Sequence, residues 1–209
     1  MIAAVVFDLG GVLLDWNPRH LYRKLIPEPA AMERFLAEVC THAWHERQDA
    51  GGSCAAAVAE LSAAFPEQAE LIAAFYARFG EMISGPIAGT VEIAAHLRRA
   101  GVPLYALSNW PAEIFHHAWA FEFMRWFEGV VVSGVEGVMK PDRRIFDILL
   151  RRYALDPAAT LFIDDVAANV AAAAGLGLQV HRFRNPAMLA AELRAHGLIG
   201  AAAADRIAP

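Results

Sequence analysis

The chain has 209 residues, of which 57% are hydrophobic and 20% are charged, and its formal net charge is −5 at pH 7. This composition indicates a globular protein, either one large domain or a core with a smaller insert, and excludes a disordered chain. The negative charge provides no basic surface for nucleic acid. Two cysteines, Cys40 and Cys54, form neither a disulfide framework nor a metal-ligand spacing. No signal-peptide pattern and no membrane-spanning stretch is found, so we expect a cytoplasmic protein without a membrane partner.

The first predicted element is a buried strand over residues 2–7 that ends in a single carboxylate. Asp8 follows an apolar, β-branched run, and Gly10 and Gly11 come directly after it. Such a run is typical of a strand in a parallel sheet, and the glycines allow a tight turn with close approach to the backbone. Open α/β sheets bind ligands at the carboxyl ends of their strands. Asp8 is therefore a candidate functional residue, with a simple capping role as the alternative.

From Asp15 to about Gly85 the pattern is helical, and no strand is predicted. Prolines and paired glycines separate the candidate helices, and Ser53 is a predicted N-cap. The candidate helices span residues 18–25, 31–40, 53–65 and 67–82. This stretch predicts a small helical bundle inserted after the first strand.

Strands and helices alternate in the remainder of the chain. The predicted strands are 102–107, 130–132, 160–163 and 178–181, and the predicted helices are 90–100, 112–127, 143–153, 167–174 and 188–196. This alternation indicates an α/β protein with a Rossmann-like parallel sheet and right-handed crossovers. The tail, residues 201–209, carries little information and is expected to fray.

Polar residues follow the predicted strands at positions that converge in a parallel sheet. They are Asp8, Ser108 and Asn109, Lys140 in a loop, and Asp164 and Asp165. Carboxylates from different strands suit Mg²⁺, and a hydroxyl and an amide can hold phosphate oxygens. A carboxylate beside a bound phosphate can act as a nucleophile. The set therefore predicts a phosphoryl-transfer site at one edge of the sheet.

Four of these stretches, in order, resemble the motifs of the haloacid dehalogenase-like (HAD) superfamily. They are residues 8–12 (DLGGV), 107–109 (LSN), 140–142 (KPD) and 162–165 (FIDD). The helical insert after the first motif is similar to that of subfamily I, which carries a four-helix C1 cap. The chain most resembles α-glucose-1-phosphate phosphatases and the N-terminal phosphatase domain of epoxide hydrolase, and residues 44–47 (WHER) are similar to a stretch of the former. The resemblance implies a Rossmann-like core of residues 1–14 and 86–209 and a cap of residues 15–85.

The resemblance also implies a role for each matching residue. Asp8 would be the nucleophile and a Mg²⁺ ligand, the backbone carbonyl of Gly10 a second ligand, and Asp165 a third, with Asp164 supporting the metal and facing Lys140. Ser108 and Asn109 would bind the phosphoryl group, and Lys140 would pair with Asp8 and the phosphoryl oxygens. The implied activity is that of a Mg²⁺-dependent phosphatase that hydrolyses a small phosphorylated metabolite, expected to be a sugar phosphate, through an aspartyl-phosphate. No oligomeric state is predicted.

One position departs from the family pattern. Most phosphatases of the superfamily have an aspartate two residues after the nucleophile, which protonates the leaving group and then activates water. Gly10 occupies that position here and has no side chain for either task. General acid catalysis is worth roughly 10²–10⁴-fold in rate. A sugar 1-phosphate partly avoids this loss, because its anomeric leaving group is less basic than an ordinary alcohol; alternatively, the cap supplies a group. His45 and His20 in the predicted cap are the candidates.

Two other functions and several structural interpretations remain open from the sequence. The chain is also compatible with a 2-haloacid dehalogenase, in which the same aspartate attacks carbon without a metal, or with a binding protein that has little turnover because of Gly10. The Asp164–Asp165 pair favours a metal over the dehalogenase. Ser108 and Asn109 can cap the following helix as well as bind phosphate. Asn169 faces the site or caps locally, and the aromatic residues of 112–127 form core packing or a dimer face.

Overall fold

The computed structural model describes residues 1–200, and the tail, for which fraying was expected, lies outside these residues. The strands are β1 (Ala4–Phe7), β2 (Leu14–Trp16), β3 (Ile83–Pro86), β4 (Leu104–Ser108), β5 (Gly129–Val132), β6 (Thr160–Asp164) and β7 (Gln179–Arg182). The helices are α1 (Arg19–Leu25), α2 (Pro29–Glu38), α3 (His42–Asp49), α4 (Cys54–Ala64), α5 (Ala69–Ala77), α6 (Ala88–Arg99), α7 (Ser133–Glu136), α8 (Arg143–Arg152), α9 (Ala167–Gly175) and α10 (Pro186–Ala195).

Five parallel strands form the central sheet in the order β5-β4-β1-β6-β7. The chain fills the sheet on one side of β1 with β4 and β5, and then returns to the other side with β6 and β7. The strand order therefore reverses at β1, and the crevice at such a reversal is where α/β sheets bind their ligands. The predicted α/β fold class with a parallel sheet is confirmed.

The first strand is apolar throughout because both of its faces are covered. Successive side chains of a strand point to opposite faces. Val5 and Phe7 pack in one hydrophobic cluster with residues of α6 and α10, and Val6 packs in a second cluster with residues of α8. All four residues of β1 are buried. This double coverage holds the strand rigidly and places its last residue, and Asp8 beyond it, at the edge of the sheet.

Residues 17–82 form a helical insert that contains α1 to α5. The prediction that residues 15–85 contain no strand was wrong at the two ends of that range, where β2 and β3 pair antiparallel. Strands of three and four residues are too short to show alternating hydrophobicity, and their pairing joins residues almost 70 positions apart, such as Trp16 and Ile83. The two strands bring the start and end of the helical insert together beside Asp8.

Helix α3 was not predicted, because its sequence HAWHERQD is polar and has no apolar periodicity. Its N-cap, Thr41, accepts a hydrogen bond from the backbone amide of Trp44 at 3.1 Å, and this capping residue is the local signal that indicates a helix start. Ser53 caps α4 as predicted, accepting from Ala56. The predicted helix over 67–82 is shorter than expected, since α5 ends at Ala77 and a 3₁₀ turn, Phe79–Met82, follows.

The aromatic segment 112–127 is not the single helix that was predicted. It forms two 3₁₀ helices, Ala112–Ala120 and Glu122–Trp126, with Phe121 in an extended conformation between them. The break directs the first segment toward Trp110, against which Phe115 packs edge-on at 5.7 Å between ring centroids. The second segment packs against α6, where Arg98 lies over the ring of Trp126 at 5.8 Å. Packing against two separate surfaces overrides the helical periodicity of this sequence.

Within residues 1–200, no helix is both long enough and apolar enough to cross a membrane.

Candidate active site

A cavity of about 450 Å³ lies at the carboxyl ends of the central strands, between the sheet and the helical insert. The sheet side supplies Asp8, Gly10, Gly11, Ser108, Asn109, Trp110, Pro111, Lys140, Pro141, Asp165, Val166, Ala168 and Asn169. The helical insert and the strand leading to it supply Trp16, His42, His45, Glu46, Asp49 and Phe79. Residues from distant parts of the chain thus enclose one space with a polar floor and a partly aromatic roof.

Asp8 lies on the floor of this cavity and is almost fully buried. Its Oδ1 accepts a hydrogen bond from the backbone amide of Leu9 at 2.7 Å and lies 3.0 Å from Nζ of Lys140. No residue in the described part of the chain donates a hydrogen bond to its Oδ2. Burial raises the pKa of Asp8, and the charge of Lys140 offsets part of that rise. Asp8 is therefore fixed through one oxygen, while the other is available to a ligand.

Lys140 is only 1% exposed and lies between two carboxylates. Its Nζ lies 2.6 Å from Oδ2 of Asp164 and 3.0 Å from Oδ1 of Asp8, and it donates to the carbonyl of Leu107 at 2.9 Å. Burial disfavours the charge, but Asp8 and Asp164 outweigh this effect and raise the pKa of Lys140. The ammonium group is thus held charged with all three of its hydrogens directed to acceptors.

Three carboxylates, of Asp8, Asp164 and Asp165, each place one oxygen within 4.8 Å of the others. Within residues 1–200, Lys140 is the one cation in salt-bridge contact with them, so two negative charges remain uncompensated when all three are ionised. Burial and the neighbouring charge of Asp164 raise the pKa of Asp165. A hard divalent cation balances this charge and prefers such oxygen ligands. The residues present therefore fit Mg²⁺.

Asp164 and Asp165 are not equivalent. Asp164 is fully buried, and its oxygens accept from Lys140, from the backbone amide of Val166 at 2.8 Å and from Nδ2 of Asn169 at 3.1 Å. Asp165 is only partly buried and lines the cavity. Asp164 thus serves to position Lys140, whereas Asp165 is available to a metal. Asn169, for which facing the site and capping locally were both open, lines the cavity, and its side chain binds Asp164 there.

Ser108 is the last residue of β4, Asn109 follows it, and both line the cavity. Ser108 is 1% exposed. The side chain of Asn109 does not cap a helix: its Oδ1 accepts from the backbone amide of Lys140 at 2.8 Å, and its Nδ2 donates to the carbonyl of Lys140 at 2.9 Å. This pair of bonds joins two loops 31 residues apart in sequence. The phosphoryl contact expected of the Asn109 side chain is therefore limited to its remaining Nδ2 hydrogen.

Gly10 and Gly11 have different structural roles. A methyl group built on Gly10 meets no atom within 4 Å, so the space at this position is open in this protein. Gly11 has a φ of +74°, and a methyl group there would lie 2.8 Å from Oδ2 of Asp165. The second glycine is thus required for the turn and for the close approach of Asp165, whereas the first leaves a space.

Replacing Gly11 by alanine is expected to destabilise the protein by about 1–3 kcal/mol, from left-handed backbone strain and displacement of Asp165. Gly10→Ala is the matched control, and its free energy of unfolding should stay within about 0.5 kcal/mol of wild type. Urea denaturation measures both. Equal destabilisation by the two substitutions would contradict the assignment of these glycines.

His45 lines the cavity, but His20 does not. The Nδ1 of His45 lies 3.0 Å from the hydroxyl of Tyr76, and its ring stacks on Trp16 at 5.5 Å between centroids. Burial, together with His42, lowers the pKa of His45 to about 3, so the imidazole is neutral at physiological pH. His20 instead lies 3.2 Å from Asp15 at the base of the helical insert. His45 is thus the predicted candidate that reaches the site.

Asp49 was not predicted from the sequence, yet it also lines the cavity and is 5% exposed. It ends α3 one turn after His45, so recognition of α3 from its Thr41 cap would have placed both side chains on one face. Trp16 and Phe79 were also missed as cavity residues, and their rings stack at 6.1 Å between centroids.

Comparison with known proteins supports the same architecture. A family model described as haloacid dehalogenase-like hydrolase matches residues 2–177. The chain is 26% identical to the sesquiterpene phosphatase astK of Aspergillus oryzae over 177 residues, which cover 84% of this chain and 86% of that protein. The fold of this chain is similar to that of a HAD family enzyme of Bacteroides thetaiotaomicron, whose structure is a complex with magnesium and inorganic phosphate. The identity is 22% and the TM-score 0.63, and the match covers 88% of this chain and 96% of that one. The fold is also similar to that of L-2-haloacid dehalogenase of Xanthobacter autotrophicus, at 20% identity with a TM-score of 0.63. This match covers 97% of this chain and 86% of the dehalogenase.

Proposed function

The chain belongs to the haloacid dehalogenase-like hydrolases, and on that basis we propose that it is a Mg²⁺-dependent phosphatase of a small phosphorylated metabolite. The observation that carries this proposal is the cluster of three carboxylates within 4.8 Å of one another, which a single ammonium group leaves negatively charged. A site with this charge would repel a phosphate ester unless a divalent cation were bound. The cluster and a phosphorylated substrate are compatible only with a metal present.

The proposed roles follow from which side-chain atoms are free. Asp8 and Asp165 would hold Mg²⁺, together with the backbone carbonyl of Gly10, and the metal would stabilise negative charge on the transferring phosphoryl group. Asp8, with its unbonded Oδ2, would attack phosphorus and form an aspartyl-phosphate. Ser108 would hold a phosphoryl oxygen, and Lys140 would keep Asp8 ionised and oriented.

The side chains that line the cavity favour some substrate classes over others. The helical insert and β2 contribute the polar side chains of His42 and Glu46 and the rings of Trp16 and Phe79, and the sheet side adds the ring of Trp110. The hydroxyl groups of a sugar phosphate would hydrogen-bond to the polar side chains and the C–H face of the sugar ring would stack on the aromatic ones, so we retain a sugar phosphate as the proposed class. The likeness to a sesquiterpene phosphatase makes an isoprenoid phosphate the comparison substrate, since its hydrocarbon chain would use the aromatic surface alone.

The second candidate is a 2-haloacid dehalogenase, favoured by the likeness to the fold of L-2-haloacid dehalogenase. That reaction would use Asp8 to displace halide from carbon, without a metal. The two negative charges that Lys140 leaves uncompensated in the cluster of three carboxylates would then disfavour an anionic haloacid at this site. The charge balance therefore favours the phosphatase.

Phosphate release from a panel of sugar and isoprenoid phosphates tests the proposal. We expect turnover with Mg²⁺ and a loss of roughly 10³-fold or more in EDTA, because a bound metal supplies several kcal/mol of charge stabilisation. Added Mg²⁺ should restore the rate. Halide release from 2-chloropropionate that persists in EDTA, with no phosphate released from any member of the panel, would instead favour the dehalogenase.

A further inference from the structure

Asp49 is a buried carboxyl group of the helical insert that faces the same cavity as Asp8. Its side chain is 7% exposed, and its Oδ1 is buried without a hydrogen-bond partner among the described residues. The nearest candidate, Nε2 of His45, lies 3.7 Å away, which is too far for a hydrogen bond. Leaving a buried polar oxygen unpaired costs about 1–3 kcal/mol in proteins, so an orphan of this kind calls for an explanation.

The end of α3 is also where the helical insert meets the sheet domain. A methyl group built on Gly51 would lie 3.3 Å from Cα of Gly137, in the loop that follows α7. The backbone amide of Cys54 donates to Glu113 at 3.3 Å. These contacts fix the end of α3, and with it Asp49, against the sheet side of the molecule beside the cavity that Asp8 also lines.

We propose that Asp49 is the general acid and base of the phosphatase reaction, performing from the helical insert the task for which Gly10 has no side chain. The inference rests on the proposed function and deepens it. It is carried by the orphaned oxygen of Asp49, by its position in the cavity that contains Asp8, and by the space open beside Gly10.

The surroundings of Asp49 keep it protonated. Burial, then the charges of Glu46 and Asp8, raise the pKa of Asp49 to about 8, against a smaller opposing effect of Lys140. Three further groups around it are neutral at pH 7: the imidazole of His45 on the same helix, the thiol of Cys54 on α4, whose pKa burial raises to about 12, and the phenol of Tyr76 on α5, whose pKa burial also raises. Asp49 therefore carries a proton at the start of the reaction.

His45 is unsuited to the same task. A neutral imidazole is a very weak acid, and with a pKa lowered to about 3 the cationic form is absent at neutral pH. Its Nδ1 is in addition engaged with the hydroxyl of Tyr76 at 3.0 Å. His45 therefore does not take the role of the acid.

The two chemical steps balance with Asp49 as proton carrier. In the first step Asp8 attacks phosphorus, the bond to the leaving oxygen breaks, and the Asp49 carboxyl gives its proton to that oxygen, releasing the alcohol. In the second step the Asp49 carboxylate takes a proton from water as the water oxygen attacks phosphorus, which frees Asp8 and inorganic phosphate. The Asp49 carboxyl ends the cycle protonated, as it began.

Asp49→Asn tests the proposal with two phosphate esters. With an alkyl phosphate, whose leaving group needs a proton, turnover should fall by roughly 10²–10⁴-fold. With p-nitrophenyl phosphate, whose phenolate leaves without one, we expect a rapid burst of nitrophenol equal to the enzyme concentration, followed by slow turnover because the aspartyl-phosphate persists. A merely structural role would reduce the burst together with the steady rate.

Two further variants serve as rescue and control. Gly10→Asp places an acid in the open space and should restore part of the alkyl-phosphate activity of Asp49→Asn. Glu60→Gln, an exposed carboxylate of the insert paired with Arg47 at 3.0 Å, should leave turnover unchanged. Because the acid must be protonated, the wild-type rate on the alkyl ester should fall as pH rises through about 8, and Asp49→Asn should lack this fall.

If Asp49→Asn turns over the alkyl phosphate at the wild-type rate while Asp8→Asn is inactive, the assignment of Asp49 is overturned and the proposed function stands. Absence of any turnover by the wild-type protein with Mg²⁺ would overturn the proposed function and the assignment with it. If Asp49→Asn does not fold, a series of aryl and alkyl phosphates with the wild type decides: a shallow dependence of rate on leaving-group basicity supports an acid, and a steep one excludes it.

Discussion

Asp8→Asn is expected to reduce turnover by roughly 10⁵-fold or more, the scale that follows loss of a catalytic nucleophile. The asparagine side chain has the same size and can still accept the hydrogen bond from Leu9, so the turn after β1 should be retained. It has no carboxylate to attack phosphorus and no charge to pair with Lys140. Rates of phosphate release from the best substrate of the panel, measured with saturating Mg²⁺, give the loss.

Asp165→Asn is the matched control for the nucleophile. Asp165 is a proposed metal ligand that forms no salt bridge with Lys140, so its loss should weaken Mg²⁺ binding and leave the nucleophile intact. We expect excess Mg²⁺ to recover part of the activity of Asp165→Asn and none of that of Asp8→Asn. Recovery of Asp8→Asn by Mg²⁺ alone would mean that Asp8 acts only as a ligand.

Lys140→Met is expected to cause the largest loss of stability, about 3–5 kcal/mol. The substitution leaves Asp164, which is fully buried, without the ammonium group 2.6 Å away. It also removes the bond to the carbonyl of Leu107. Urea denaturation at pH 7 in EDTA measures the effect, so that a bound metal cannot replace the missing charge.

Lys24→Met is the control for loss of a lysine charge. Lys24 pairs with Glu81 at 2.9 Å, but its side chain is 55% exposed, and exposed pairs contribute about 0–1 kcal/mol. The double variant Lys140→Met/Asp164→Asn should be more stable than Lys140→Met, because it removes the stranded charge together with its partner. A cost for Lys140→Met as small as that for Lys24→Met would show that the buried pair contributes little.

The main features of the core could be predicted from local sequence. The apolar runs that end at Asp8 and Asp164 indicate buried strands, and in a parallel sheet all such ends meet at one edge. This rule places Asp8, Ser108 and Asp165 together without knowledge of any contact. The order of the strands in the sheet could be read only from the tertiary structure, because hydrophobic runs do not specify which strands are neighbours.

The corrections concern contacts between distant residues. The β2–β3 pair depends on pairing between Trp16 and Ile83, and the break at Phe121 depends on two separate packing surfaces. Asn109 lines the cavity, and its side chain also binds the backbone of Lys140, 31 residues later, a contact that was not predicted. Local patterns contain no information on such partners.

The sequence by itself determined the fold class and the strand ends, because both depend on hydrophobic periodicity, and through the family motifs it predicts Asp8 as the nucleophile. It also showed that Gly10 stands where the family pattern has an acid. Only the tertiary structure brought Asp49 to the cavity that contains Gly10. Asp49 is distinguished by the lack of a partner for a buried oxygen, and a missing contact becomes visible only when every surrounding side chain is in place.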